Sequence, residues 1–232
     1  LVLDLRYNGG GYVSCCQLLT SMILPAGKAG SVFMKLRYND QKGTGSYSYL
    51  TTPQMQSSGY GTQQPGVNLN LTGNRIYVLA TGNSASASEA LIHSLRSTGM
   101  TVYHIGATTE GKNAGMTLSD SDDENNIDSG AFRYEMWPVT FYIQNQAGQS
   151  YSSTGLTPSA SFNEFSTIPV YELGSTETGA TEVLLGIALN HIATGQFSLR
   201  TRDADADASV AVVPGPDLRR HVGMKDTGLT VQ

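Results

Sequence analysis

Residues 76–97 constrain this chain more than any other stretch, because a strand signal, a turn signal and a helix signal follow one another without a gap. Ile76-Tyr-Val-Leu-Ala80 is short, apolar and partly β-branched, the pattern of a buried strand. Ala90-Leu-Ile-His-Ser-Leu-Arg-Ser97 puts Leu91, Ile92 and Leu95 on one side of a helix, which Gly99 stops. Between them lies Thr81-Gly-Asn-Ser-Ala-Ser-Ala-Ser-Glu89, so the serines sit where a strand turns into a helix. A hydroxyl there is close to the free N–H groups and the positive dipole end of the helix. Acyl-transfer chemistry uses such a place, because those N–H groups can hold a developing oxyanion. Ser86-Ala-Ser-Glu89 is equally a capping box, S-x-x-E, which closes a helix N-terminus without any chemistry.

A second stretch bears on the choice. Thr101-Val-Tyr-His-Ile105 is a further β-rich apolar run, ended by Gly106, and the loop after it carries Gly111-Lys112. A serine needs a base to lose its proton, and a lysine whose pKa is lowered by burial can serve. One helix and one strand separate Lys112 from Ser86, which returns the chain to the same end of a sheet. An exposed loop lysine is the plainer reading of the same residue.

Three ordered motifs, LVLDLRYNGGG (1–11), SASASE (84–89) and TTEGKN (108–113), resemble the signatures of the C-terminal processing, or tail-specific, peptidase family. The resemblance covers roughly residues 1–195. It implies an α/β fold, the layered ββα core shared with Clp-type proteases and crotonases, with a mixed sheet flanked by helices. It implies a serine endopeptidase acting on protein substrates near their C-termini through a Ser-Lys dyad, with Ser86 as nucleophile and Lys112 as general base. The oxyanion hole then falls on the N–H of Ala87 and on a glycine of the 9–11 run, Gly9 or Gly10. Two positions depart from the family pattern. Met116 stands where many members place a Gln that orients the lysine, which leaves Glu110, Asn113 or Ser88 for that task. Ser159 stands where an Asp often follows the Pro of the segment Gly155-Leu-Thr-Pro158. A non-catalytic ligand- or peptide-binding protein on the same fold is the competing reading, and a crotonase-like acyl-thioester enzyme a third. Retention of both Ser86 and Lys112 argues for the peptidase.

Composition narrows the partners. The chain has 232 residues, enough for one large domain with a small appendage. Charged residues make up 14% and the net charge is −5, with no basic cluster, which argues against nucleic acid. The two cysteines, Cys15 and Cys16, are adjacent and poorly placed to bridge each other. The four histidines are scattered, so neither a metal nor a cofactor is expected. No run reaches the ~18 apolar residues that span a membrane. Leu1 opens directly into a strand, so the chain reads as part of a longer protein. The resemblance implies a PDZ-like domain upstream and delivery to the bacterial periplasm or cell envelope by a signal sequence outside this chain.

The remaining segments read as follows. Tyr12 to Ile23 is a helix ended by Pro25, after a turn at Asn8-Gly-Gly-Gly11. Ser31 to Tyr38 and Ser46 to Thr51 form a hairpin, with Tyr38, Tyr47 and Tyr49 in cross-strand packing. Residues 53–70 form a long polar loop, Asn70-Leu-Thr72 at its end is a glycosylation sequon, and residues 119–128 are an acidic solvated loop. Met136 to Ile143 is a strand, 168–174 a connecting loop, and Thr181 to Ile192 a helix ended near Gly195. Residues 1–200 are thus the catalytic core, and 201–232 an extended or mobile tail.

Overall fold

The computed structural model describes residues 1–51, 54–55, 68–120, 135–164, 182–198 and 224–226. In chain order its strands are β1 (Val2–Asp4), β2 (Val32–Arg37), β3 (Thr44–Ser48), β4 (Arg75–Ala80), β5 (Thr101–Gly106), β6 (Ala114–Thr117), β7 (Ser119–Asp120), β8 (Glu135–Met136), β9 (Val139–Asn145), β10 (Ala160–Ser161) and β11 (Met224–Asp226). Its helices are α1 (Val13–Ile23), α2 (Ala87–Ser97) and α3 (Val183–Thr194).

The strands sort into two principal sheets. One is parallel throughout, in the order β1-β4-β5-β10. The other runs β11-β6-β9-β2-β3, antiparallel except where β11 lies parallel to β6. The short β7–β8 pair stands apart. The β4 sequence explains its central place. Successive side chains of a strand point to opposite faces. Ile76, Val78 and Ala80 enter one apolar cluster, and Tyr77 and Leu79 enter another. A strand buried on both faces needs a cover on each.

On one face the cover is α2, which contacts β5 of the parallel sheet and β2 and β9 of the antiparallel one, with α1 beside it. Ala90, Leu91, Ile92 and Leu95 of α2 meet Phe33, Met34, Leu36, Phe141 and Ile143 of the second sheet in a single core. On the other face α3 lays Val183, Leu184, Ile187 and Ala188 against Tyr77, Leu79 and Ile105. The layers are therefore α3, parallel sheet, α1 with α2, and antiparallel sheet. This is the layered α/β arrangement expected, with the parallel and antiparallel pairings separated into two sheets.

Local signals behaved as chemistry dictates. Helix α1 stops before Pro25, α2 is followed by Gly99 at φ 86°, and α3 ends on Gly195 in the left-handed region. The β2–β3 hairpin forms, with Gly43 at φ 75° donating to the Asn39 carbonyl. Its tyrosines pack: Tyr49 lies on Phe33 and Tyr38 stands edge-on to Phe141.

The strand expected over 136–143 is instead two. Trp137-Pro138 interrupts it, because Pro138 has no N–H to give a ladder. Most of the 53–70 loop, the acidic stretch from 121, residues 168–174 and the tail beyond 200 lie outside the described residues. From that tail, Met224–Asp226 pair with Gly115–Thr117.

Candidate active site

Parallel pairing of β1, β4 and β5 brings the turns that follow them to one end of the sheet. Residues 5–8, after β1, are bound to the serine turn after β4 by hydroxyls. Ser84 Oγ donates to the Leu5 carbonyl at 2.6 Å, Thr81 Oγ1 donates to the Arg6 carbonyl at 2.6 Å, and Ser88 Oγ lies 2.9 Å from the Asn8 carbonyl. The Ala85 N–H donates to the same Asn8 carbonyl. Ser84 and Ser88 are thus structural. Ser86, between them, caps α2 from φ 56°, ψ −108°, far from any basin a serine favours. A non-glycine residue held there costs about 1–3 kcal/mol, and such strain collects at functional sites. Ser86 is fully buried.

Glu89 joins this turn to the lysine loop. It forms the capping box with Ser86, whose N–H donates to Glu89 Oε2 at 2.8 Å. The same oxygen accepts the N–H of Lys112 at 2.9 Å. Oε1 accepts the N–H of Gly111 at 2.7 Å and the Thr109 hydroxyl at 2.5 Å. One fully buried carboxylate therefore takes four hydrogen bonds from the two loops. Burial pushes its carboxyl up from the ordinary range, while the four donors favour the ionised form.

Glycine at 111 is required by close approach. At φ 90°, a Cβ there would stand 2.1 Å from the Ser153 carbonyl oxygen. The segment after β9 is locked on from that side, where the Leu156 N–H donates to Thr109 Oγ1 at 2.7 Å.

The structure thus brings the backbones of Ser86 and Lys112 to one oxygen atom, with Lys112 half-buried. Ala87 is the first residue of α2, and the Cys16 thiol lies 3.5 Å from its carbonyl. Burial pushes that thiol up to about 12, which keeps it protonated. Gly9 and Gly10 are half-buried, and the Gly10 N–H donates to Asn8 Oδ1 at 2.9 Å.

Of the three residues expected to orient Lys112, the Asn113 amide donates to the Tyr151 carbonyl at 2.8 Å, the Ser88 hydroxyl serves Asn8, and Glu110 is exposed. Met116 lies on β6, paired with Val139. Among the described residues, no group of three His, Cys, Asp or Glu side chains is placed to hold a metal ion, and no helix is long and apolar enough to cross a membrane.

Two features of the site leave no mark in the local sequence. Arg6 pairs locally with Asp4 and also reaches Glu164 at 3.0 Å and Glu182, both buried. Glu182 in turn caps α3, accepting from the N–H groups of Leu184 and Leu185. Tyr151 is the second: its hydroxyl donates to the Lys112 carbonyl at 2.6 Å. Nothing local marks either, since the partners are dozens of positions away.

A buried serine strained at a strand-to-helix turn, on the C-terminal edge of a parallel sheet and bound through Glu89 to a lysine loop, lies where the N–H groups of a helix N-terminus can stabilise a developing oxyanion. The chain belongs to peptidase family S41, which matches residues 1–159. A solved protein assigned to the S41 proteases, from Bacteroides fragilis, is 30% identical with a TM-score of 0.64, over 84% of this chain and 45% of its own. A photosystem II D1 C-terminal processing protease is 21% identical with a TM-score of 0.48, over 76% of this chain and 39% of its own. This chain therefore spans less than half of either protein's length. No curated protein matches it.

Proposed function

We propose that the chain carries the catalytic centre of a serine endopeptidase that cleaves polypeptides near their C-termini. The observation that carries the proposal is the single Glu89 oxygen that accepts the backbone N–H of both Ser86 and Lys112. It fixes nucleophile and base relative to each other before substrate arrives. Neutral Lys112 takes the proton from Ser86 Oγ as that oxygen attacks the peptide carbonyl. The oxyanion is held by the N–H of Ala87, at the helix N-terminus, and by Gly9, since the Gly10 N–H is engaged by Asn8. The tetrahedral intermediate collapses, the C–N bond breaks, and the leaving amine receives the proton from Lys112. Water, deprotonated by Lys112, then releases the acyl group and restores Ser86.

Substrates on this reading are unstructured polypeptides with a free C-terminus, and the place of action is the bacterial periplasm or cell envelope. Cleavage of such a peptide by the complete protein tests the mechanism, with Lys112→Arg as the variant. Arginine keeps the charge but is no base at any working pH. The expected result is loss of at least ~10³-fold in kcat with little change in KM. Wild-type turnover by Lys112→Arg would remove the lysine from the mechanism.

A further inference from the structure

The sequence gives Tyr151 no role, yet it sits against both halves of the site. Its hydroxyl donates to the Lys112 carbonyl at 2.6 Å and lies 3.4 Å from the Ser86 carbonyl. Its own carbonyl accepts the Asn113 amide at 2.8 Å. The His93 ring meets the tyrosine ring edge-on at 5.3 Å, and His93 Nε2 lies 2.7 Å from the Gln149 carbonyl, so the ring is held from α2 as well. Only 5% of Tyr151 is exposed.

The consequence concerns Lys112. Its N–H is held by Glu89 and its carbonyl by Tyr151, so the peptide units on both sides of its Cα are fixed. With these fixed, the Cα–Cβ direction is set, and with it the point from which the lysine side chain extends. We infer that Tyr151 is a positioning residue for the Ser86–Lys112 pair, acting through the main chain, while the side chains of Asn113 and Ser88 bond to Tyr151 and Asn8. The inference rests on the mechanism proposed above. Tyr151 touches no reacting atom. Burial, with the Glu89 charge next in weight, holds its phenol far above the usual range, so it remains a donor throughout the working pH range.

The test is Tyr151→Phe in the complete protein, with 4-aminophenylalanine at position 151 as the conservative variant that restores a donor on the same ring. Turnover of an unstructured peptide is normalised to active serines counted by a covalent serine-reactive phosphonate, so partial unfolding cannot imitate the effect. Tyr151→Phe should lose about 10-fold or more in kcat with KM within about 2-fold, and the amino variant should recover most of it; misplacement of a reacting group by an ångström costs up to ~10²-fold. Unchanged kcat in Tyr151→Phe, or a loss that the amino variant does not rescue, overturns the positioning role. If Ser86→Ala or Lys112→Arg retains full turnover in the same assay, the dyad fails and the inference falls with it. If those two are inert while Tyr151→Phe turns over normally, the inference alone fails.

Discussion

Two buried carboxylate junctions lie at the C-terminal edge of the parallel sheet, and they are built on opposite charge balances. Glu89 receives four hydrogen bonds from neutral donors, three backbone N–H groups and one hydroxyl, all on the serine turn or the lysine loop. Arg6 is instead a cation among three carboxylates, reaching Asp4, Glu164 and Glu182. The first junction joins elements that carry the proposed chemistry. The second joins the end of β1 to the segment after β10 and to the cap of α3, with Tyr7 donating to Glu164 at 2.9 Å. A carboxylate fed by backbone donors fixes main-chain positions closely, because each N–H is rigidly attached to the chain. A charge cluster tolerates small shifts but is costly to break, because it leaves unpaired charge in the interior. One junction should therefore govern catalysis and the other stability.

Glu89→Gln tests this division with the largest expected effect. The amide keeps the shape but turns an NH₂ toward donors that need an acceptor. Turnover should fall about 10²-fold, with a stability loss of about 3 kcal/mol in urea unfolding. Arg6→Met should reverse the balance. Leaving Glu164 and Glu182 buried without a counter-charge costs about 3–5 kcal/mol, yet kcat well below the melting temperature should stay within a few-fold. If Arg6→Met damaged turnover as severely as Glu89→Gln, the two junctions would not be separable.

A smaller effect is expected from His104, buried on β5 with its Nδ1 unpartnered among the described residues. Burial, with the Arg96 charge next, lowers its pKa to about 4. Its folded pKa is depressed below the unfolded value of about 6.5, so the neutral imidazole favours the fold fully above that value. That contribution is lost as pH falls from about 6.5 toward 4, which amounts to about 2 kcal/mol between pH 7.5 and pH 5. Urea unfolding at the two pH values should show this slope in the wild type and a shallower one in His104→Leu. Equal slopes would show that His104 is not buried neutral in the fold.

The comparison also marks what could be read from sequence. Elements set by local pattern are legible: the buried apolar run Ile76 to Ala80, the apolar side of α2, and the stops at Pro25, Gly99 and Gly195. The capping box disclosed Glu89, but only its half toward Ser86. Its half toward Thr109, Gly111 and Lys112 depends on how β4 and β5 pair, which no local period records. The same holds for Arg6, whose partners Glu164 and Glu182 come from segments far along the chain, and for Tyr151, which reads as one loop tyrosine among several. Strand β10 has two residues, too few for any periodicity, and Pro138 sits in an apolar run whose ladder it breaks.

In the mechanism proposed above Ser86 is a nucleophile as well as a helix cap, and one pair of measurements on Ser86→Ala separates the two roles. Loss of the cap costs roughly 1 kcal/mol. Cleavage of an unstructured peptide and thermal unfolding should be followed on the same preparation of the complete protein. Abolished cleavage in a variant that still melts cooperatively, a few degrees from the wild type, is the predicted result. A variant that melts lower but cleaves at the wild-type rate would make Ser86 a cap alone and contradict the mechanism.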